Sequence, residues 1–353
     1  MYWNKLVKGL NPYVPGEQPQ DKRYIKLNTN ENPYPPSPNV IEVIKKTADA
    51  GLRLYPDPEA VGLRKAVAKK FGLGIDEVFV GNGSDEILAF AFGAFFESGG
   101  APMLFPDISY SFYPVYAGLW GLPYKTIPLS EDFALRPEDY SIPSGGIIFP
   151  NPNAPTGVAL SLDQLLFIAE YQLKQEKPLI IDEAYVDFGA ASFVDHIGDF
   201  PNLLVVHTMS KARSLAGLRV GYALGNAGLI EALNRIKNSF NSYTVDRLAL
   251  AAGAAALEDD TYYTGINRRV AATRERVMRE LEKTGFKLTP SKANFIFAKF
   301  PGLGGHELYQ AFKECGILVR YFNKERISDY LRISIGSDED MDIFLKVSKE
   351  IIK

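Results

Sequence analysis

The sequence contains little cysteine and little histidine, which limits the kinds of site it can build. Among its 353 residues there is one cysteine, Cys315, so an internal disulfide and a cysteine-rich metal site are both excluded. Its three histidines, His196, His207 and His306, are far apart and show no HExxH spacing, which argues against a catalytic zinc. We therefore expect no metal, and a single cysteine suits a reducing compartment such as the cytoplasm.

Long apolar runs and an excess of charge of one sign are also missing. The longest apolar stretch, Ile87–Phe96, is too short to span a bilayer and is typical of a buried helix. The first residues do not show the charged-then-apolar pattern of a secretion signal. A net charge of -3 provides no basic field that would attract nucleic acid or anionic lipid. We expect a cytoplasmic protein that binds neither, while small anionic substrates remain compatible with local cations.

The remaining composition is that of a globular protein with two domains. Hydrophobic residues make up 46% and charged residues 23% of the chain, and its length suits one large and one smaller domain. Strand-like runs alternate with helix-like runs, which predicts an α/β fold with a mostly parallel sheet flanked by helices. We expect an N-terminal arm at 1–38, extended over Lys26–Pro36, a large domain at 39–258 and a small α+β domain at 259–353.

One lysine near the middle of the chain is the strongest candidate catalytic residue. Lys211 follows the strand-like run Leu203–Val206, hydroxyls flank it at Thr208 and Ser210, and Arg219 comes shortly after. A lysine at a strand end among small residues can form a Schiff base with a carbonyl cofactor, and an arginine can hold the phosphate of that cofactor. For an isolated Ser-Lys pair, a solvated lysine on a surface turn would be the preferred interpretation.

Two further stretches place polar groups at the ends of predicted strands. Gly81–Glu86 is a glycine turn before a helix, where free amides bind phosphate, but the glutamate departs from the GxGxxG dinucleotide pattern. A helix capped by Ser84 or Asp85 is the structural alternative. Asp182 ends a buried strand, where α/β sheets bind ligands, and its carboxylate can stabilise a protonated pyridine nitrogen. On its own, such an aspartate is more often a magnesium ligand or a cap.

Aromatic, amide and arginine side chains complete the candidate set. Asn151–Gly157 is a rigid turn whose asparagine can reach a ring hydroxyl. Tyr110 can stack on a flat cofactor, although an aromatic cluster is more often part of a core. Arg320 and Arg332 each lie in a strand-like apolar run. A buried arginine requires an anionic partner, and an outward-facing arginine on a half-buried strand is an equally good interpretation of each.

Together these motifs resemble the histidinol-phosphate aminotransferase family, whose members are fold-type I enzymes dependent on pyridoxal 5′-phosphate (PLP). The similarity keeps the same order from the arm to near the C-terminus. The matching motifs are Asn28–Pro33, Tyr55–Pro58, Gly83–Glu86, Asn153–Gly157, Asp182–Tyr185, Ser210–Lys211, Gly217–Tyr222 and Leu331–Gly336. They are highly specific for PLP aminotransferases and less so for the substrate, because aromatic amino acid aminotransferases and threonine-phosphate decarboxylases are similar.

The resemblance implies a role for each matched residue. Lys211 would carry PLP and shuttle a proton from the substrate Cα, Asp182 would pair with the ring nitrogen, and Tyr185 would bond the ring oxygen. The implied PLP-binding residues are Ser84, Asp85, Tyr110, Asn153, Asp182, Tyr185, Thr208, Ser210, Lys211 and Arg219, with Tyr55 reaching the phosphate from the other subunit of a homodimer. The implied substrate-binding residues are Arg332, Arg320, Tyr13 and Asn30.

The reaction implied is amino transfer from L-histidinol phosphate to 2-oxoglutarate. Arg332 would bind the carboxylate of glutamate or 2-oxoglutarate, and Arg320 the phosphate of the other substrate. Ala154 stands where the family often has asparagine, so the ring-oxygen contact must come from Asn153, from Tyr185 alone or from water. A PLP-binding regulator without catalysis is a hypothesis of another class. It is disfavoured because such proteins carry an N-terminal DNA-binding domain, whereas this chain starts at the arm.

Overall fold

The computed structural model describes residues 2–19, 21 and 23–353, and helices and strands are numbered along this part of the chain. The helices are α1 Lys5–Gly9, α2 Pro38–Thr47, α3 Val61–Phe71, α4 Gly83–Phe95, α5 Tyr113–Trp120, α6 Leu162–Lys174, α7 Ala227–Phe240, α8 Arg247–Glu258, α9 Asp260–Lys283, α10 Gly305–Glu314 and α11 Asp338–Ile351. The strands are β1 Ile25–Lys26, β2 Val78–Asn82, β3 Met103–Pro106, β4 Tyr124–Ile127, β5 Gly146–Pro150, β6 Leu179–Asp182, β7 Leu203–Thr208, β8 Val220–Gly225, β9 Lys287–Leu288, β10 Phe295–Lys299, β11 Ile317–Leu318, β12 Arg320–Tyr321 and β13 Leu331–Ser334. Three residues of the predicted arm, Met1, Gln20 and Lys22, lie outside the described residues.

A seven-stranded sheet forms the centre of the large part of the molecule, in the order β2-β8-β7-β6-β5-β3-β4. Every neighbouring pair is parallel except the two pairs that involve β8, which runs against both of its neighbours. All residues of β6 and β7 are buried, as expected for aliphatic strands covered on both faces. The predicted mostly parallel sheet is therefore confirmed.

Helices cover both faces of this sheet. Because side chains alternate along a strand, Ile181 and Val205 join a core with α3, α6 and α8, whereas Ile180 and Val206 join a separate core with α4, α5 and α7. A ligand cannot reach the sheet through either face. It can bind only at the strand ends, which is where open α/β sheets place their sites.

The C-terminal part is α+β, as predicted. Its antiparallel sheet has the order β12-β13-β10-β9 and packs with α10 and α11, between which Phe312 and Phe344 stack at a centroid distance of 5.1 Å. The N-terminal segment joins this part through β1, which pairs in parallel with β11. The domain boundaries at 38/39 and 258/259 remain a proposal.

Several local features differ from the sequence prediction. Residues 5–9 form the short helix α1. Tyr124–Ile127 forms an edge strand that was not predicted, because three of its four residues are exposed and show no buried alternation. The single strand expected at Ile317–Arg320 is split at the buried Val319, so that β11 pairs with β1 and β12 pairs with β13. Among the described residues, no helix combines the length and apolar content needed to cross a membrane.

Candidate active site

A cavity at the C-terminal edge of the parallel strands brings most of the predicted residues together. Two of the fifteen, Asn153 and Tyr55, are not among the residues that line it. Those that do are Tyr13, Asn30, Ser84, Asp85, Tyr110, Asp182, Tyr185, Thr208, Ser210, Lys211, Arg219, Arg320 and Arg332. The walls come from the central sheet, from the N-terminal segment and from the C-terminal part.

Strand direction explains why residues distant in sequence meet at this edge. Asp182 ends β6 and Thr208 ends β7, and these two strands are parallel neighbours. Since β8 is antiparallel, its beginning lies at the same edge, and Arg219 directly precedes it. The register pairs Thr208 with Gly221, which brings the start of β8 beside the end of β7.

Lys211 lies within the cavity, and its Nζ donates a hydrogen bond to the Thr29 carbonyl oxygen at 3.0 Å. Desolvation by the surrounding protein and, second, the positive charge of Arg332 together lower the pKa of Lys211 to about 8. Both effects disfavour the ammonium form. A substantial fraction of this amine is therefore neutral, and nucleophilic, only slightly above neutral pH.

Asp182 is the opposite case. Its side chain is buried, and burial raises the pKa of Asp182 to about 7. Oδ1 accepts a hydrogen bond from the Ala184 amide at 3.1 Å, and Oδ2 accepts one from the Tyr113 hydroxyl at 3.4 Å. A cationic group placed beside it would lower this pKa again. Tyr113 was not predicted as a site residue, although it lies in the same aromatic stretch, Ser109–Tyr113, as Tyr110.

The start of α4 and the Arg219 guanidinium form a site suited to a phosphate. Gly83 has φ +76°, and a Cβ there would lie 2.6 Å from Arg219 Nη2. A Cβ at Gly221 would lie 2.6 Å from the backbone nitrogen of Ser84. Glycine at both positions lets strand, helix start and guanidinium approach closely, while amides at the helix start attract an anion.

The Asp85 side chain makes contacts of its own beside the predicted phosphate site. Its carboxylate accepts hydrogen bonds from Tyr110 Oη at 2.6 Å and from Arg219 Nη2 at 2.9 Å. Arg219 Nη1 lies 3.4 Å from Ser210 Oγ. A carboxylate cannot donate to phosphate, so only the backbone amide of Asp85 is available for that contact. The side chain instead positions the tyrosine ring and the arginine.

Asn30 orients Tyr185 from the N-terminal segment. Its Nδ2 donates to the Tyr185 hydroxyl at 3.1 Å, and its backbone nitrogen donates to Ser334 Oγ at 2.8 Å. Ser334 in turn donates to Asn30 Oδ1 at 2.9 Å, and Asn294 Nδ2 donates to the Asn30 carbonyl oxygen at 2.9 Å. These bonds hold the segment against both the central sheet and the C-terminal sheet.

Arg320 and Arg332 supply positive charge at the far wall. Arg332 Nη2 donates to the Asn28 carbonyl oxygen at 2.9 Å, and desolvation lowers the pKa of Arg332. Arg320 donates to the Val14 and Pro15 carbonyl oxygens at 3.1 and 3.3 Å. Within the described part of the chain, neither guanidinium forms an ion pair with a carboxylate. Both are therefore available to an anionic substrate.

The two remaining predicted residues lie elsewhere. Asn153 Nδ2 donates to the Ile108 carbonyl oxygen and to Thr156 Oγ1, each at 3.0 Å, so its amide donor is already used behind the cavity wall. A contact between Asn153 and a ring oxygen, one of the three alternatives for that bond, remains a prediction. Tyr55 is 78% exposed and stacks on Tyr243. Its contribution to the site of a partner subunit remains a prediction.

These residues fit PLP. An amine that loses its proton near pH 8, a buried carboxylate and a glycine-lined anion site match an aldehyde, a pyridine nitrogen and a phosphate respectively. No group of three or more His, Cys, Asp or Glu side chains suited to a metal occurs among the residues that the structure describes.

Comparison with known proteins identifies the family. The family model for aminotransferase class I and II matches residues 22–347. Histidinol-phosphate aminotransferases of Clostridium botulinum (strain 657 / Type Ba4) and Clostridium acetobutylicum are 53% and 52% identical to this chain, over 99% of it and over 98% and 99% of their own lengths.

A solved structure agrees with the sequence relatives. Histidinol-phosphate aminotransferase from Sinorhizobium meliloti, in complex with pyridoxal-5′-phosphate, superposes with a TM-score of 0.89 at 26% identity and covers 99% of this chain and 97% of its own. The likeness therefore extends over the N-terminal segment and both sheets. The chain belongs to the aminotransferase class I and II family, in the group whose curated members are called histidinol-phosphate aminotransferases.

Proposed function

We propose that this protein is a PLP-dependent aminotransferase that transfers the amino group of L-histidinol phosphate to 2-oxoglutarate. One observation carries the proposal: a single cavity contains a lysine with a pKa of about 8 and a buried aspartate with a pKa of about 7. Opposed shifts of this kind are typical of acid-base sites. The identity of 53% to curated relatives supports the choice of substrate.

The cofactor would be held by residues on all sides of the cavity. When bound, PLP supplies an aldehyde carbon and a pyridine ring that takes up electrons. Asp182 would pair with the ring nitrogen, and Tyr185, oriented by Asn30, would bond the ring oxygen. The residues that would hold the phosphate are Ser84, Thr208, Ser210, Arg219 and the backbone amide of Asp85.

Lys211 is the residue that would move protons. Its Nζ, when neutral, would accept the proton from the substrate Cα and hold it as the ammonium, while PLP would supply the ring that takes up the electrons. The Thr29 carbonyl oxygen, 3.0 Å from Nζ, holds the amine at the cavity wall.

The arginines at the far wall would select anionic substrates. Arg332 would bind the carboxylate of glutamate or 2-oxoglutarate. Arg320 and Tyr13, which line the same cavity, would bind the phosphate of histidinol phosphate. Both guanidinium groups bond only main-chain oxygens of the N-terminal segment in the contacts described above. A substrate anion is a stronger acceptor for such a group than a carbonyl oxygen.

We also propose a cytoplasmic homodimer in which Tyr55 reaches the cofactor phosphate of the partner subunit. Support comes from exposed aromatic residues on one side of the large part: Tyr55 is 78% exposed, Tyr243 43% and Phe240 78%. Exposed apolar groups of this size commonly mark an interface. The free thiol of Cys315 is compatible with a reducing compartment.

A donor profile of the PLP-loaded protein tests the proposed function. Histidinol phosphate, phenylalanine and threonine phosphate are each offered with 2-oxoglutarate, and glutamate and carbon dioxide are measured. We expect glutamate to form fastest with histidinol phosphate, and Lys211→Ala to abolish turnover and leave PLP bound only reversibly. A preference for phenylalanine would show that histidinol phosphate is not the substrate. Release of carbon dioxide without glutamate would show that the reaction is a decarboxylation. Near-normal turnover of Lys211→Ala would refute the catalytic assignment.

A further inference from the structure

A buried side-chain network lies behind the candidate active site. Glu183 directly follows Asp182, and its Oε2 lies 3.0 Å from His207 Nε2, which is the donor because a carboxylate only accepts. The His207 ring stacks on Tyr222, with centroids 5.2 Å apart and planes at 15°, and the Tyr222 hydroxyl lies 3.5 Å from His207 Nδ1. The side chains of Glu183 and His207 are 0% and 7% exposed.

This network lies on the face of the sheet opposite the cavity. His207 and Thr208 are consecutive on β7, so their side chains point to opposite faces, and only Thr208 lines the cavity. On β8, Tyr222 belongs to the same core as Val205, whereas the core on the other face contains Val206. The side chains of Glu183, His207 and Tyr222 therefore do not line the cavity in which the proposed reaction takes place.

The network joins three strand ends that carry functional residues. Glu183 extends β6 beyond Asp182, and its amide donates to the Val206 carbonyl oxygen at 2.8 Å. His207 lies on β7, which leads to Lys211, and it is paired in register with Tyr222. Tyr222 lies on β8, which begins directly after Arg219.

Hydrogen bonds hold Glu183 in a single orientation. Its Oε1 accepts from the Phe193 amide at 2.6 Å, and its Oε2 accepts from Ser192 Oγ at 2.6 Å as well as from His207. A buried carboxylate is costly unless it is hydrogen-bonded in this way. Because three donors bond one fully buried carboxylate, Glu183 connects β6, β7 and the loop at residues 192–193 in a defined geometry.

We propose that Glu183, His207 and Tyr222 form a positioning network that sets Asp182, Lys211 and Arg219 for PLP. This inference rests on the proposed function. Strand ends have few further ladder bonds to fix them, while a catalytic constellation must be held to within about 0.5 Å. Hydrogen bonds on the face of the sheet opposite the cavity supply that constraint and leave the cavity free.

Two substitutions at one position separate the hydrogen bond from the ring. His207→Phe keeps an aromatic ring against Tyr222 and removes the donor to Glu183, whereas His207→Gln keeps a nitrogen near the Nε2 position. His196→Gln is the matched control, because His196 pairs with Asp199 at the surface, away from the cavity. Each variant is loaded with PLP, and cofactor release, the pH midpoint of its absorbance band and the single-turnover rate with glutamate are measured.

We expect His207→Phe to release PLP roughly 10-fold faster and to react with glutamate roughly 10-fold more slowly per bound PLP. Effects of this size are typical when a residue that orients a ligand-binding side chain is replaced. Its absorbance midpoint should also move, while His207→Gln and His196→Gln stay near wild type. Glu183→Gln, which keeps the shape of the side chain, should reproduce the loss and serves if His207→Phe does not fold.

A purely structural role would give another result. If the variants lower only the Tm, with PLP release, absorbance midpoint and rate per bound PLP unchanged, the proposal is overturned. Equal impairment of His207→Gln and His207→Phe would overturn it as well. None of these measurements uses histidinol phosphate. If the natural amino donor is another compound, the proposed substrate is wrong, but the test of the positioning network is unaffected.

Discussion

At the scale of single residues, desolvation is the main determinant of the candidate site. It lowers the pKa of Lys211 to about 8 and raises the pKa of Asp182 to about 7, because a low-dielectric environment disfavours either charge. The amine is thereby prepared to attack a carbonyl. The Asp182 carboxylate can pair with a cation. A cation bound beside it would lower its pKa and so favour the charged form. The largest cause of both opposite shifts is therefore the same.

The rate at which the PLP-free protein captures PLP should depend on pH through Lys211. A lowered pKa means that the neutral amine increases as pH rises through about 8, so the capture rate should rise and level off above that value. An unperturbed lysine, with a pKa of about 10.4, would give a rate still rising at pH 9.5. Stopped-flow absorbance between about pH 6.5 and pH 9.5 measures this midpoint.

Arg332 provides the control for that profile. Its positive charge is the largest cause of the lowered Lys211 pKa after desolvation, so Arg332→Gln should move the midpoint to higher pH. A midpoint that stays in place, or that moves to lower pH, would contradict the electrostatic explanation.

Arg320→Ala should lower kcat/KM for phosphorylated substrates far more than for glutamate. Its guanidinium lines the cavity without an ion-pair partner in the described chain, so loss of a charged contact should reduce kcat/KM for histidinol phosphate roughly 10- to 100-fold. Steady-state kinetics with both donors measures the difference. Arg235→Ala, at an exposed pair with Glu231, is the control, and equal losses on both substrates would remove the assigned role.

At the scale of elements, the junction between β8 and α4 decides whether a phosphate can bind. The α4 helix begins at Gly83, directly after β2, and β8 pairs with β2 alongside this start. Gly221 on β8 has no side chain to separate the two backbones. The exposed amides at the start of α4 and Arg219 can therefore converge on one anion.

Gly221→Ala should damage this junction. Its Cβ would lie 2.6 Å from the backbone of Gly83 and Ser84, so α4 must shift, at a cost of about 1–3 kcal/mol typical of overpacking. We expect a lower Tm and an affinity for PLP reduced about 10-fold or more, corresponding to roughly 1.4 kcal/mol. Calorimetry and fluorescence titration with PLP measure the two effects.

Gly265→Ala is the matched substitution for that experiment. Gly265 lies on α9, and a Cβ there would meet nothing within 4 Å. Alanine is preferred to glycine in a helix by about 1 kcal/mol, so this variant should be slightly more stable and bind PLP normally. Loss of PLP affinity in both variants would contradict the explanation by steric overlap.

At the scale of the whole molecule, the cavity is assembled from three distant parts of the chain. The N-terminal segment is held by pairing of β1 with β11 and by the ion pair of Glu17 with Lys313 at 2.6 Å. The C-terminal part also contacts the central sheet directly, through Arg326 and Asp107 at 2.8 Å.

Subunit mixing tests the proposed homodimer at this scale. If Tyr55 serves the partner subunit, neither Tyr55→Ala nor Lys211→Ala alone supports full activity, but their mixed dimer has one site with both residues intact. Random mixing makes half the dimers mixed, so about a quarter of wild-type activity per site should return. Activity after dissociation and reassociation of equimolar variants measures this.

The self-mixed variants are the baseline for that experiment. Tyr55→Ala and Lys211→Ala should each show no gain when taken separately through the same dissociation and reassociation. Recovery no greater than the average of these two samples would mean that Tyr55 does not complete a neighbouring site.

The sequence alone determined the sheet, the edge at which ligands bind and most of the residues gathered there. Buried aliphatic runs specify strands locally, and parallel strands bring the residues that follow them, such as Asp182 and Lys211, to one edge. The same local rules do not determine how a side chain inside a turn is oriented. The amide nitrogen of Asn153 donates to the carbonyl oxygen of Ile108, which is distant in sequence, and no local pattern indicates that bond.

Only the tertiary structure decided which side chains support the site from behind. The contact of Glu183 with His207, the bond from Tyr113 to Asp182 and the division of Ile317–Tyr321 between two sheets all depend on partners far away in the sequence. Such partners are chosen by packing of the complete chain. A local pattern therefore predicts the residues that meet a ligand better than the residues that hold them in place.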